Sequence, residues 1–308
     1  MQFANNQQHV EEDTALRLES RGVVHLAGAG STELIKSALI GFSREVDPDS
    51  DKASMGFVLD AQGFLRTELY IVPHEDGYLI DCPRDRIPAL LQRVEDMGQG
   101  IDAGCVDVSD DWVVFAELPD QKTFDFGEPY IKYTDPRWHM GTRLLRPKSP
   151  ALHSSLWGSE LKWVNQAFKL GFLPHVGFLG DESITIIEAG YHQVVTLDPK
   201  ELPENQRSQL AAPRENLTRR VLPVRVEPTD ASFPTLTGGL IQSNGITIGK
   251  TLGHYGLYAV ALVSIAPWRK ALHERRVLTC DGQPVLITWP SWLAQESRGR
   301  GGPVALAS

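Results

Sequence analysis

Cysteine is scarce in this chain. Three residues in 308, Cys82, Cys105 and Cys280, stand far apart and odd in number. No C-x-x-C pair and no Cys/His cluster at metal spacing occurs, so neither a disulfide framework nor a zinc site is expected, and no other metal. A reducing compartment fits this usage. Long apolar runs are also missing: nothing approaches the roughly 18 residues that a membrane helix requires. Met1 to Asp13 is polar and acidic, without the apolar centre of a signal peptide. The expected location is the cytoplasm, or the mitochondrial matrix if a presequence has been removed, with no membrane partner. Positive charge is short as well. Lys and Arg total 30 against 39 Asp and Glu, a net charge of −9. That balance argues against a nucleic-acid partner, which needs a concentrated basic surface, but leaves room for a local basic pocket. The densest basic stretch, Arg214 to Arg225, is broken by apolar and acidic residues and reads as a solvated strand edge. No Ser/His/Asp or Cys/His arrangement can be assembled from spacing, so nucleophilic catalysis has no support.

What is present suits a globular core: 42% of residues are hydrophobic and 22% charged. Gly22 to Leu26 reads as a strand, followed by Gly28-Ala29-Gly30 and a helix from Ser31 that Ser31 or Thr32 can cap. This glycine pair lacks the third glycine and the acidic residue of a dinucleotide site. Met55–Leu59 and Phe64–Val72 read as a hairpin turning on Asp60-Ala61-Gln62-Gly63, with Tyr78–Asp81 as a third strand. Ile87, Leu90, Leu91 and Val94 recur at helical spacing, and Cys105–Val108 and Trp112–Leu118 return to strand. The order indicates an α+β layer, not a doubly wound parallel sheet. Trp157 to Leu170 has a helical pattern ending at Gly171. From Val221 onward, five short β-rich pieces separated by glycine and proline suggest a small closed barrel. The tail after Leu293 is Gly/Arg/Ser-rich and is expected to be disordered.

Five strings in order carry a resemblance. They are Asp60-Ala61-Gln62-Gly63 with Glu68; Asp135-Pro136-Arg137 with Met140-Gly141-Thr142-Arg143-Leu144-Leu145; Ile187-Glu188-Ala189-Gly190-Tyr191; Thr218-Arg219-Arg220-Val221-Leu222-Pro223-Val224; and Thr237-Gly238 with Asn244-Gly245-Ile246-Thr247-Ile248-Gly249. Together they resemble the YgfZ-type folate-binding proteins, relatives of the glycine-cleavage T-protein. The resemblance implies a three-domain α+β fold around a central channel that admits tetrahydrofolate, with a small C-terminal β-barrel. The corresponding boundaries are 1–50 with 118–222 for the T-protein-like central domain, 51–117 for a ferredoxin-like domain, 223–295 for the barrel and 296–308 for the tail. In the family a K-G-C-Y-x-G-Q-E loop lies before the barrel. Here Asp198 to Gln206 occupies that stretch without the cysteine, either glycine or the tyrosine, and Glu201 stands near the cysteine's place by spacing. A carboxylate there removes thiolate chemistry.

The resemblance implies Glu68 and Glu201 as acid/base candidates, and Glu188 and Tyr191 as ligand contacts. A half-buried Glu68 would have a raised pKa, although an exposed strand carboxylate is the simpler reading. Glu188 can accept paired donors of a pterin-like ring, or simply end a strand. Arg137 and Arg143 can hold a ligand carboxylate; equally, Arg137 can tie Asp135 across its turn. Trp157 and Trp163, six apart on the expected helix, do not share a face, so one can address a cavity, with core packing the plainer alternative. Two functions follow: a folate-binding accessory protein of iron–sulfur cluster assembly or repair, or a diverged tailoring enzyme that uses the channel for another small molecule. Oligomeric state is left open.

Overall fold

A computed structural model describes residues 15–50, 52–121, 129–149, 157–179, 182–204, 206–207, 217–227 and 236–296. The expected disordered tail, the polar start and Arg214 lie outside the described residues. The chain forms two compact units, one of residues 1–39, 45–55 and 69–163, the other of 40–44, 56–68 and 164–308. These limits cut across the boundaries expected at 50 and 117, because strands Ser54–Leu59 and Leu65–His74 each pass from one unit into the other.

The first unit holds two mixed layers. In one, Arg21–Ala27 pairs antiparallel with Gly77–Pro83 on one side and Gly104–Asp107 on the other, and Tyr70–His74 continues the sheet beyond Gly77–Pro83. Antiparallel partners on both sides exclude the doubly wound arrangement. The glycine pair after Arg21–Ala27 serves close packing instead. A Cβ on Gly28, at φ +116°, would lie 2.5 Å from the Asp102 carbonyl, and one on Gly30 would lie 2.4 Å from the Ile101 side chain. Helix Ser31–Ala38 begins with Gly30 at its N-cap and no side-chain cap. The expected cap by Ser31 or Thr32 is therefore corrected: Thr32 has its hydroxyl 2.6 Å from that of Tyr78. This helix buries Leu34, Ile35 and Ala38, and helix Ile87–Met97 buries Ile87, Leu90 and Val94, at the 3–4 spacing the sequence displays.

The second sheet of this unit has the order Gly158–Ser159, Leu16–Arg17, Trp112–Glu117, Thr142–Pro147, Ile131–Thr134. Its alternate residues Val113, Phe115 and Leu144 form a core with Ala15, against which Trp157 and Tyr130 pack. Helix Glu160–Leu170 starts three residues later than its periodicity suggests, because Gly158–Ser159 pairs in parallel with Leu16–Arg17. Trp157 is thus outside the helix, with its ring 4.8 Å from Phe115.

The second unit contains a closed six-stranded barrel, built in the order Arg219–Val226, Tyr258–Ser264, Ile246–Tyr255, Leu240–Ser243, Leu278–Cys280, Gln283–Ile287. Period-two residues, among them Leu222, Val224, Ile241, Ala259, Ala261 and Val263, fill it. Helix Ile265–His273 adds Trp268 to that core. Its Pro267 lies in the first turn, where a missing N–H costs nothing, so the proline does not break the helix. Closure leaves no free sheet edge.

The loop Asp135–Thr142 is tightest at Gly141. Its φ is +84°, and a Cβ there would fall 2.0 Å from the Glu117 carbonyl. Gly141→Ala is expected to destabilise the chain by about 2 kcal/mol or more, read as a lower denaturant midpoint at unchanged m-value. An unchanged midpoint contradicts this packing.

Candidate functional site

The first unit buries a cluster of five charged side chains. Asp81, at the end of the apolar run Tyr78-Leu79-Ile80, accepts from Arg21 Nε at 2.6 Å through Oδ1. Its Oδ2 accepts from Arg143 Nη1 and from the Tyr133 hydroxyl, each at 2.7 Å. Arg21 Nη2 also donates to the Asp81 carbonyl at 3.0 Å. Asp135 takes Arg137 Nε on Oδ1 at 3.0 Å and Arg137 Nη2 on Oδ2 at 2.7 Å. The same Oδ2 accepts Arg143 Nε at 3.0 Å and the Tyr70 hydroxyl at 3.2 Å. Arg143 therefore bridges the two carboxylates, and its guanidinium lies 4.0 Å from the Tyr70 ring centre and 4.8 Å from that of Trp163. Flat cations over ring faces gain electrostatic attraction where water is absent.

All five charged side chains are fully buried. Burial pushes the Asp135 carboxyl up, but Arg137 and Arg143 beside it override that and hold it well below the usual carboxylate range. Asp81 is likewise pulled down by Arg21 and Arg143 against its burial. Burial raises the Tyr70 and Tyr133 phenols, so both stay protonated donors. Two donors are left over: Arg143 Nη2 and Trp163 Nε1 are buried without an acceptor among the described residues. Arg137, Arg143 and Trp163 are thus brought together, with Arg137 tied across its own turn to Asp135. Sequence reading missed Arg21, Tyr70, Asp81 and Tyr133. A carboxylate ending an otherwise apolar strand was the available signal, since such a charge needs buried partners.

In the second unit, Glu188 and Tyr191 share the turn that precedes the barrel. Thr185 N donates to Glu188 Oε2 at 2.9 Å, and Glu188 N donates to Thr185 Oγ1 at 3.1 Å. That reciprocal pair is a capping box, written in sequence as Thr185-Ile186-Ile187-Glu188. Glu188 Oε1 accepts from Arg219 Nε at 2.9 Å; Arg219 is 40% exposed at its side chain and Glu188 8%. Val221 N donates to the Glu188 carbonyl at 2.9 Å, which joins this turn to the first barrel strand. Tyr191 is buried, with its ring 4.9 Å from Phe57. Gly190 before it has φ +83°, and a Cβ there would meet Trp292 at 2.7 Å.

The stretch that takes the place of the cysteine loop packs on the hairpin. Asp60 Oδ1 accepts from Gln62 N and Phe64 N at 3.0 and 2.9 Å, closing the Asp-Ala-Gln-Gly turn. Gln206, fully buried, donates from Nε2 to the Gly63 carbonyl at 2.8 Å. Leu202, within this stretch, is 1% exposed. Glu201 is an exposed residue one position earlier, its carboxyl pushed up by partial burial and by Asp198. Glu68, at the end of the hairpin segment, is 1% exposed, not an open strand carboxylate. Cys82 is fully buried, while burial raises Cys105 to about 12 and Cys280 to about 11.

Residues 218–295 match the family model described as CAF17, C-terminal beta-barrel domain. Among solved structures, glycine cleavage system aminomethyltransferase T from Bartonella henselae aligns with a TM-score of 0.60 at 12% identity, covering 92% of this chain and 88% of that one. No curated protein matches the sequence. The chain therefore has the fold of a T-protein and a barrel similar to that of CAF17, as the ordered motifs implied.

Removing Asp81 takes away the buried carboxylate that Arg21 and Arg143 share. Asp81→Ala is expected to cost about 3–5 kcal/mol in urea unfolding, and a loss under 1 kcal/mol contradicts the ion pairs. Asp81 and Asp135 have folded pKa values below their unfolded ones, so the unfolded state binds more protons as pH falls. Their stabilisation is complete above about pH 4 and is lost as acid titrates the folded carboxylates. Asp135→Asn is expected to flatten the fall of stability below pH 4; an unchanged slope argues against it.

Proposed function

We propose that the chain is a folate-binding accessory protein of iron–sulfur cluster assembly or repair that works without the thiol of its relatives. The observation that carries this reading is the CAF17-type barrel at 218–295 within a T-protein fold. The ordered motifs support it, because the segments that frame the family's ligand are kept while only the thiol loop is replaced. In the T-protein-like reading, tetrahydrofolate supplies a one-carbon carrier with a pterin ring rich in N–H donors. Glu188 fits such a ring: its Oε1 faces a partly exposed arginine, and a carboxylate oxygen can accept a second donor beside Arg219. The leftover donors Arg143 Nη2 and Trp163 Nε1 suit an oxygen acceptor in the first unit. Arg137 is bound to Asp135 through both carboxylate oxygens, so its part is to hold the carboxylate that also accepts from Arg143.

A second reading rests on the replaced loop. Glu201 carries a raised pKa on an exposed turn, which suits general acid work on a different small molecule. Glu68 is the second carboxylate that such a tailoring enzyme would use.

Titration with tetrahydrofolate separates the readings. Native protein is expected to give saturable heat, and Glu188→Gln to weaken binding at least about tenfold while leaving the unfolding midpoint within about 1 kcal/mol. Absence of heat at millimolar ligand contradicts folate binding. Loss of the gene is expected to lower iron–sulfur enzyme activities in extracts; unaltered activities with one vanished metabolite favour the second reading.

A further inference from the structure

The first unit contains a cavity of about 310 Å³ whose charge opposes that of the chain. Its wall carries Arg17, Arg84 and Lys148, with Glu19 the one acidic residue, whereas the whole sequence has a net charge of −9. The fourth lining cation, Arg21, is already bound to Asp81.

The three remaining cations are weakly compensated. Arg17 Nε stands 4.0 Å from Glu19, whose side chain is 74% exposed. Lys148 Nζ is 3.6 Å from Asp110, which is fully exposed, so water screens that pair. Arg84 has no ion pair among the described residues. Yet the backbone at all three positions is fixed. Arg84 N donates to the Ser20 carbonyl at 2.8 Å, and Lys148 N to the Asp111 carbonyl at 2.7 Å. Ser20 is itself held by Glu160, through its amide at 3.1 Å and through its hydroxyl. Arg17 lies in a strand paired on both sides. Three cations thus line one cavity from fixed backbone positions, and the carboxylates beside two of them are exposed to screening water.

We propose that this cavity binds a small phosphorylated ligand. The cations come from three separate elements, a strand, a 3-10 turn and the residue after a strand end. A tetrahedral, multiply charged oxyanion offers several oxygens to cations set on separate elements, whereas a single carboxylate offers two. Two guanidinium forks and one lysine point charge are the donor types that recognise phosphate. The Trp112 indole, partly exposed on the same wall, gives an apolar surface for the rest of the molecule. The volume lies at the small end of ligand sites, which suits a compact metabolite and not a macromolecule.

The test is calorimetric titration of the full chain with tripolyphosphate and, separately, citrate, at fixed ionic strength. Saturable one-site binding of tripolyphosphate is expected, weakened at least about tenfold in Arg84→Gln/Lys148→Gln. The control Arg269→Gln, an exposed arginine of the second unit, is expected to bind as the native chain does. No heat at 1 mM tripolyphosphate (about a thousandfold above a micromolar site) overturns the proposal. So does equal weakening in Arg269→Gln, which marks diffuse charge attraction, or citrate binding as tightly as tripolyphosphate. Both variants replace exposed side chains, and their unfolding midpoints serve to verify that the fold is intact.

Discussion

Arg143 lies between two buried carboxylates, and the rest of the first unit is arranged around that constraint. One cation bonded to Asp81 through Nη1 and to Asp135 through Nε fixes the position of the strand ending near Asp81 relative to the loop that starts at Asp135. Taking five charges out of water is costly, and each must find partners of opposite sign or neutral donors. Tyr70 and Tyr133 supply neutral donors because burial keeps their phenols protonated. The Asp-Pro-Arg turn and the Gly141 bend are consequences, since only a sharp loop lets Arg137 and Arg143 reach the same carboxylate. Such a network tolerates few rearrangements, so it specifies one geometry as much as it adds stability.

Most elements were legible in the sequence because periodicity reflects which face is buried. The short β-rich pieces after Val221 form the expected closed barrel, and helix Ile87–Met97 follows its apolar spacing to within a residue. The misses have local causes. Trp157 belongs to an apolar pattern that resembles a helix, yet a two-residue parallel pairing at Gly158–Ser159 delays the helix to Glu160. The Leu278–Cys280 strand is too short to show a period, and Pro267 hides a helix that accepts proline in its first turn. The division into units was not legible, because Ser54–Leu59 and Leu65–His74 read as ordinary continuous strands.

The candidate site was only partly readable. Arg137 and Arg143 stood out through their motif, whereas Asp81 and Arg21 are 60 residues apart and meet only through strand pairing. Glu188 announced its structural role in the Thr185-x-x-Glu188 box, a signal as clear as the family motif around it. In the stretch from Asp198 to Gln206, Leu202 is buried beside the exposed Glu201, and Gln206 is seated on the Gly63 turn.

The central claim, a T-protein-like framework that functions without a thiol, is tested most directly by replacing Cys82, Cys105 and Cys280 together with alanine. The variant and the native chain are each returned to cells lacking the gene, and iron–sulfur enzyme activity is measured. Equal restoration by both is the predicted result. Restoration by the native chain alone, with the variant folded and present at the same level, contradicts the account.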